Sequence, residues 1–531
     1  MTPGTATTTE AAAKTPVPAK TPVPAKAQVL AKTQSAATAR DESWSDLPQV
    51  LLLALLALLG ALQYLLWEGS RGDSWAPQLF LLTVAVISIV RRERRVNGTV
   101  LTAAGVAAMT IGVLFVLRPA IASSSGITNA GAAIDARPLD GFLREDGREA
   151  IFQALLFACA LGIGACVRLR VTPGSSAVAF DVASRAKRSG TVLGLAALVA
   201  ALADAQLVRH AGGPSAYLSG LSSRSSFLSG SSYLTLAYLP LLVALVHHLV
   251  CRAATSPRTK LSFPLLCAIV LLGASTAIAG GRAQLVLGFI LPLTLVKQYS
   301  NRPFKWWTIT ILGAVTVIVA LVMGLLLRDN RFDGGASYAS LKSSPIQTLG
   351  DRITSGIEMR PFDSVLRLDE SLRDGEAQRQ GGSTYAKVPG WFVPRKLWAG
   401  KPYGGGNTWF TSTLVPRFYG PDRVETSLSA IGEAFANFGF GGVIVVGTLT
   451  GLMGALVERV RRRRSLRGLT ICITVVPLFA SFIRGDAYQN VPLALATILL
   501  CLVITSISRP SPSAAPRPAK IERRVALARN G

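Results

Sequence analysis

Apolar runs of roughly bilayer-crossing length recur along this chain, and short cationic segments separate many of them. A run of this kind satisfies its own backbone N–H and C=O groups only as a helix, which is what the hydrocarbon core of a bilayer demands. Twelve spans are expected, at about 47–67, 76–90, 98–117, 149–167, 189–208, 231–250, 261–279, 284–296, 306–327, 434–457, 468–483 and 489–507. The second and eighth are short for a crossing of ~20 residues, so their ends tilt or extend into loops. The fold class is therefore all-α, a polytopic integral membrane protein of about 12 transmembrane helices with one large loop. Half the residues are hydrophobic and 16% are charged, which excludes a disordered chain and an ordinary soluble enzyme.

A net charge of +26 invites a nucleic-acid reading, but the cations sit in short loops between apolar runs, which is a topology signal. RRERR at 91–95 and RVRRRR at 459–464 are stop signals of this kind, and no nucleic-acid partner is expected. With the N-terminal tail inside, the inner segments hold 32 cations and the short outer loops nine. The reverse orientation would invert that bias, so both termini are placed in the cytoplasm of a multi-pass cytoplasmic (inner) membrane protein. Residues 1–46 then form a low-complexity cytoplasmic tail in which TPVPAK occurs twice, too polar for a signal peptide and unable to form a core. Residues 47–327 hold spans 1–9, and residues 328–433 the large extracytoplasmic loop. Residues 434–507 hold spans 10–12, and 508–531 a second disordered cytoplasmic tail.

Within the loop, Ile346, Leu349, Ile353 and Ile357 have helical spacing, and a second short helix is expected from Pro361 through Leu372 with Phe362, Val365 and Leu368 on one face. Gly381, Gly382 and Gly404–Gly406 suggest hinges near a site. Trp391, Trp398, Trp409 and Tyr419 alternate with Arg395, Lys396, Lys401, Arg417 and Arg423. Guanidinium forks grip phosphate and aromatic faces stack on apolar or sugar-like surfaces; an interfacial belt with a solvated rim is the plainer alternative. The six cysteines all fall in or at the ends of apolar runs, and none implies a disulfide framework or a metal site. No DxD, HExxH or P-loop pattern occurs, so neither a metal nor a cofactor is expected.

The run VPRKLWAGKP followed by SAIGEAFANFGFGG resembles the Wzy-type oligosaccharide repeat-unit polymerases of O-antigen and capsule. Pro394, Arg395, Leu397, Trp398, Lys401 and Pro402 carry the first element. Gly432, Glu433, Asn437, Phe438 and Gly439 carry the second. The resemblance implies polymerisation of undecaprenyl-diphosphate-linked oligosaccharide repeat units on the outer face of the membrane, with a flippase and a chain-length regulator as further partners. It also implies that arginines of the outer loops hold the lipid-linked substrates. Arg282 and Arg395 match best, with Lys401, Trp398, Arg224, Arg360 and Arg484 assisting. Glu433, at the outer mouth of span ten, is the best-placed carboxylate to accept the acceptor hydroxyl's proton. Its alternative role is a helix N-terminal carboxylate followed by a packing element. Asp486 is expected to pair with Arg484.

Two rivals stand beside this reading. An O-antigen-ligase-like transferase shares substrate and topology but uses another acceptor. A transporter or flippase of lipid-linked glycans would need ionisable residues at mid-membrane depth along several spans, whereas Asp204 is the visible exception here.

Overall fold

A computed structural model describes residues 46–66, 75–120, 147–167, 179–213, 216–217, 232–255, 262–278, 285–299, 360–393, 397–398, 400–401, 404–416, 426–463 and 465–508. The chain divides into two units at Pro48. Of the first unit only the start of a helix is described, and the second, Gln49–Gly531, holds all the other described elements.

Every regular element among the described residues is helical. Among the described residues, nine helices are long and apolar enough to cross a membrane. These are α1 (Leu47–Leu66), α2 (Trp75–Asn97), α3 (Ala103–Ile111, continued to Ala120), α4 (Gly147–Ala165), α5 (Ala179–His210), α6 (Tyr238–Thr255), α12 (Ser429–Arg462), α13 (Leu466–Arg484) and α14 (Ala487–Ile507). The expected seventh and eighth spans appear as shorter apolar helices, α7 (Phe263–Ile278) and α8 (Leu291–Gln298), the latter preceded by a π-helical turn at Val286–Ile290. The expected ninth span, 306–327, and the helix over Ile346–Ile357 lie outside the described residues.

The interior is built on α4, which is rich in alanine and glycine and packs against α2 and α12. Between membrane helices there is little hydrophobic gain to be had, so close backbone approach supplies the attraction. A side chain at Gly451 would put its Cβ 2.1 Å from the Leu161 carbonyl oxygen, so only glycine allows this crossing of α12 over α4. Thr102 caps α3 by accepting from Gly105 N–H at 3.0 Å, and Ser465 caps α13 by accepting from Gly468 N–H at 3.0 Å.

Three short helices come from the loop: α9 (Arg360–Arg373), α10 (Ser383–Ala386) and α11 (Gly406–Leu414), with a 3₁₀ turn at Val388–Phe392 between the last two. The sequence expectation for α9 holds. Phe362, Val365 and Leu368 are buried and face the bundle, where α9 packs on α4, α12 and the π-helical continuation of α3 at Gly112–Leu117. Arg118, at the end of that segment and 1% exposed, donates to both Asp363 oxygens at 3.3 and 2.9 Å, which fastens α9 to α3. Burial pushes the Asp363 carboxyl up from its ordinary range, while the Arg118 guanidinium opposes that shift.

Candidate active site

The 34 residues of α12 would run about 51 Å at 1.5 Å each, well beyond the ~30 Å of a hydrocarbon core. The helix is broken at Gly439 (φ 64°, ψ −153°), a left-handed conformation suited to glycine. The segment before the break, Ser429–Phe438, holds the SAIGEAFANF motif and is capped by the loop helices. Ser429 itself has φ 70° and is fully buried. Its hydroxyl accepts from Gly432 N–H at 3.1 Å, which holds the strained start of the helix.

Glu433 sits at the centre of this region with no exposed surface. Its Oε1 accepts from the Thr384 hydroxyl of α10 at 2.7 Å, and its Oε2 accepts from Ala487 N–H, the first residue of α14, at 2.7 Å. Gly406 N–H, the first residue of α11, also donates to it. The carboxylate therefore closes the N-termini of two other helices, where unpaired N–H groups and the helix dipole favour negative charge. A Cβ on Gly406 would lie 2.9 Å from Oε1, so glycine here serves the close approach of the carboxylate.

Asn437, one turn on, completes the arrangement. Its Nδ2 donates to Thr384 Oγ1 at 2.8 Å and to the Glu433 carbonyl at 2.7 Å, and its Oδ1 accepts from Gly382 N–H at 3.0 Å. Phe438 stacks on Tyr385 with centroids 6.0 Å apart. At the break, Arg379 donates to the Phe435 carbonyl at 2.9 Å and lies 4.8 Å over the Phe435 ring.

Asp486 mirrors Glu433. It caps α14 by accepting from Gln489 N–H at 3.2 Å and reaches across to Asn407 N–H at the start of α11 at 3.0 Å. Its oxygens thus serve backbone N–H groups where the sequence suggested an Arg484 pair. Burial raises its carboxyl above the ordinary range, and these N–H bonds oppose that. Tyr385, part-buried beside both carboxylates, has its phenol held well above its usual range by burial, then by the charges of Glu433 and Asp486. Its hydroxyl has no hydrogen-bond partner among the described residues.

The other residues singled out from sequence divide into three groups. Arg484 ends α13, and its carbonyl accepts from the Ser427 hydroxyl, so it belongs to this assembly. Lys401 and Trp398 lie together in the loop after the 3₁₀ turn. Lys401 Nζ donates to the carbonyls of Trp391 and Val393 at 3.2 and 3.0 Å, and the Trp398 ring lies against Gly390. That 3₁₀ turn packs on α14. Arg360 opens α9 and adds its charge to that of Arg118 at Asp363. Arg224, Arg282 and Arg395 lie outside the described residues. Thr384, Tyr385, Arg379 and the N–H groups of Gly406 and Ala487 were not singled out from sequence. Asn437 and Phe438 of the motif were the available signal that α12 has partners there.

A bundle of membrane-crossing helices with a polar assembly seated on one end is the architecture of a multi-pass membrane protein. Residues 216–509, more than half of the chain, match the family described as O-antigen polysaccharide polymerase Wzy. The chain belongs to that family, and it is a membrane polymerase of O-antigen polysaccharide biosynthesis. No curated protein and no solved structure gives a significant match.

Proposed function

We propose that the chain polymerises undecaprenyl-diphosphate-linked repeat units on the outer face of the cytoplasmic membrane, without a metal. Both termini lie in the cytoplasm in this reading, and the Glu433 end of the bundle faces outward. The observation that carries it is the polar assembly around Glu433 and Asp486, which lies at the opposite end of α12 from Arg459, Arg461 and Arg462.

In the reaction, the acceptor unit's hydroxyl oxygen attacks the anomeric carbon of the growing glycan. The bond from that carbon to the diphosphate breaks, the electron pair leaves with undecaprenyl diphosphate, and the hydroxyl's proton passes to a base. Stabilising the leaving diphosphate is the main electrostatic task. Arg282, Arg395 and Lys401 are assigned to it, with Arg224, Arg360, Arg484 and Trp398 assisting. Glu433 is assigned as the base. A second role for Glu433 is favoured by the donors already on its oxygens: it organises α10, α11 and α14 and leaves the proton to another group.

The test is purified protein incubated with a lipid-linked oligosaccharide and read as a ladder on a gel. Arg395→Ala and Arg282→Ala should each lower yield by about tenfold to a hundredfold, the worth of one or more charge-assisted bonds of roughly 1.5–3 kcal/mol. Arg373→Ala, an exposed residue of α9, should polymerise like the parent. Parental ladders from both loop variants would defeat the diphosphate assignment. Glu433→Gln separates the two roles of the carboxylate, because the amide oxygen still accepts N–H bonds but is no base. A ladder from that variant at normal protein level assigns Glu433 to organisation.

A further inference from the structure

The ends of α5, α6 and α7 enclose a groove of about 740 Å³. Its walls are apolar: Leu193, Gly194 and Ala197 of α5 line it with Leu265, Ala268 and Leu271 of α7. Among the described residues, nothing lies within 4 Å of where a Cβ on Gly194 would stand, so no described side chain packs on this part of the wall. The polar groups gather at one end. His248 bonds the Ser189 hydroxyl through Nδ1 at 3.0 Å, and Arg252 donates to the Ser262 hydroxyl at 3.4 Å. Lys187 and Arg188 are exposed just ahead of Gly190 on α5.

The position of this mouth along the bundle is fixed by α6. His247 Nδ1 lies 3.1 Å from the Thr470 hydroxyl, in the second turn of α13. The mouth is therefore at the end of the bundle that carries the α12–α13 turn with Arg461 and Arg462, across the membrane from Glu433. A groove this apolar is not a stable home for water. A cluster of cations at its mouth suits phosphate better than a neutral headgroup.

We propose that the groove binds an anionic glycerophospholipid of the leaflet opposite the Glu433 assembly. One acyl chain fills the space between α5 and α7, and the headgroup phosphate rests at Arg252 with Lys187 and Arg188 beside it. This site is separate from the polymerisation chemistry and does not depend on which lipid carries the substrate.

The chain contains its own probe. Cys267 lines the groove and is exposed, whereas the other five cysteines are buried. The full-length protein is placed in nanodiscs of phosphatidylcholine, with or without phosphatidylglycerol. Alkylation of Cys267 by a membrane-permeant maleimide is then tracked by peptide mass spectrometry. Phosphatidylglycerol at about four times its dissociation constant should slow alkylation about fivefold by mass action. Arg252→Gln should restore the phosphatidylcholine rate. Gly194→Phe, which puts a ring on the groove wall, should slow alkylation in both lipids and remove the difference between them. Equal parental rates in the two lipids overturn the proposal, as does slowing that persists undiminished in Arg252→Gln. Protection by undecaprenyl phosphate without protection by phosphatidylglycerol also overturns it. Arg252 lies at the mouth outside the packed interior, so the parent and Arg252→Gln decide the matter even if Gly194→Phe fails to insert.

Discussion

Glu433 and Glu458 are two buried glutamates on one helix, near opposite ends of α12. Glu433 is held by groups distant in sequence: Thr384, Gly406 N–H and Ala487 N–H, from three other helices. Glu458 is held by Arg461, one turn along its own helix, and its Oε2 has no hydrogen-bond partner among the described residues. Arg461 also lies 5.1 Å over the Tyr299 ring, so the wider contacts at that end pass through a flexible side chain. The same residue type thus joins four helices at one end and mainly stabilises its own helix at the other. Burial alone does not measure what a carboxylate contributes. What matters is how many otherwise unpaired backbone groups it satisfies.

The contrast between the two ends can be broken most severely at Glu433. Glu433→Ala should leave two helix N-termini and Thr384 without their acceptor, at roughly 1–3 kcal/mol for each group left buried and unpaired. The expected result is loss of the polymer ladder together with a much lower melting temperature in detergent. A parental melting temperature would show that the assembly does not depend on this carboxylate.

At the other end, Glu458→Gln removes the charge of a pair confined to one helix, but the amide oxygen can still accept from Arg461, so only about 1 kcal/mol is at stake. It should melt close to the parent and polymerise normally. A loss comparable to Glu433→Ala would erase the contrast between the two ends.

The smallest effect should come from Asp486 and takes the form of a pH dependence. Its folded pKa is raised by burial, so the folded state binds its proton more tightly than the unfolded chain does. The stability it contributes is fully present below the ordinary aspartate range and is lost as pH rises through the folded value. Asp486→Asn cannot titrate. The parent should therefore lose melting temperature relative to this variant as the pH rises above about 4. A parent-to-variant difference that stays flat with pH would mean that the N–H bonds from Asn407 and Gln489 cancel the effect of burial, and a parental gain with rising pH that they outweigh it.

Hydropathy was enough to locate the nine long apolar helices among the described residues, because in a bilayer the apolar run is the helix. Helix α9 was also legible, since Phe362, Val365 and Leu368 mark the face it buries. The site was legible only in part. Glu433 and Asn437 stood out through GEAFANFG, but the donors to Glu433 include backbone N–H groups, which every residue carries and no sequence pattern marks. Asp486 was misassigned for the same reason: a charged neighbour, Arg484, is visible in sequence, whereas Asn407 N–H is not. Gly404–Gly406 suggested a hinge, and at Gly406 the glycine answers to the close approach of a carboxylate. The π-helical turns after Ile111 and Leu285 and the break at Gly439 leave no hydropathy signature, because the apolar pattern runs straight through them.

The Ala487 N–H that completes Glu433 lies 54 residues further along the chain. At a synthesis rate of about 5–20 residues per second, the ribosome needs about 3–11 seconds to cover that distance. Throughout this interval α12 exists without the start of α14, and the carboxylate has neither its final donor nor its final enclosure. Water must solvate it until the α13–α14 hairpin arrives. Maturation of the site is thus tied to the synthesis of α14: a nascent chain halted before Ala487 would already possess α12 and α13, yet could not hold Glu433 dry.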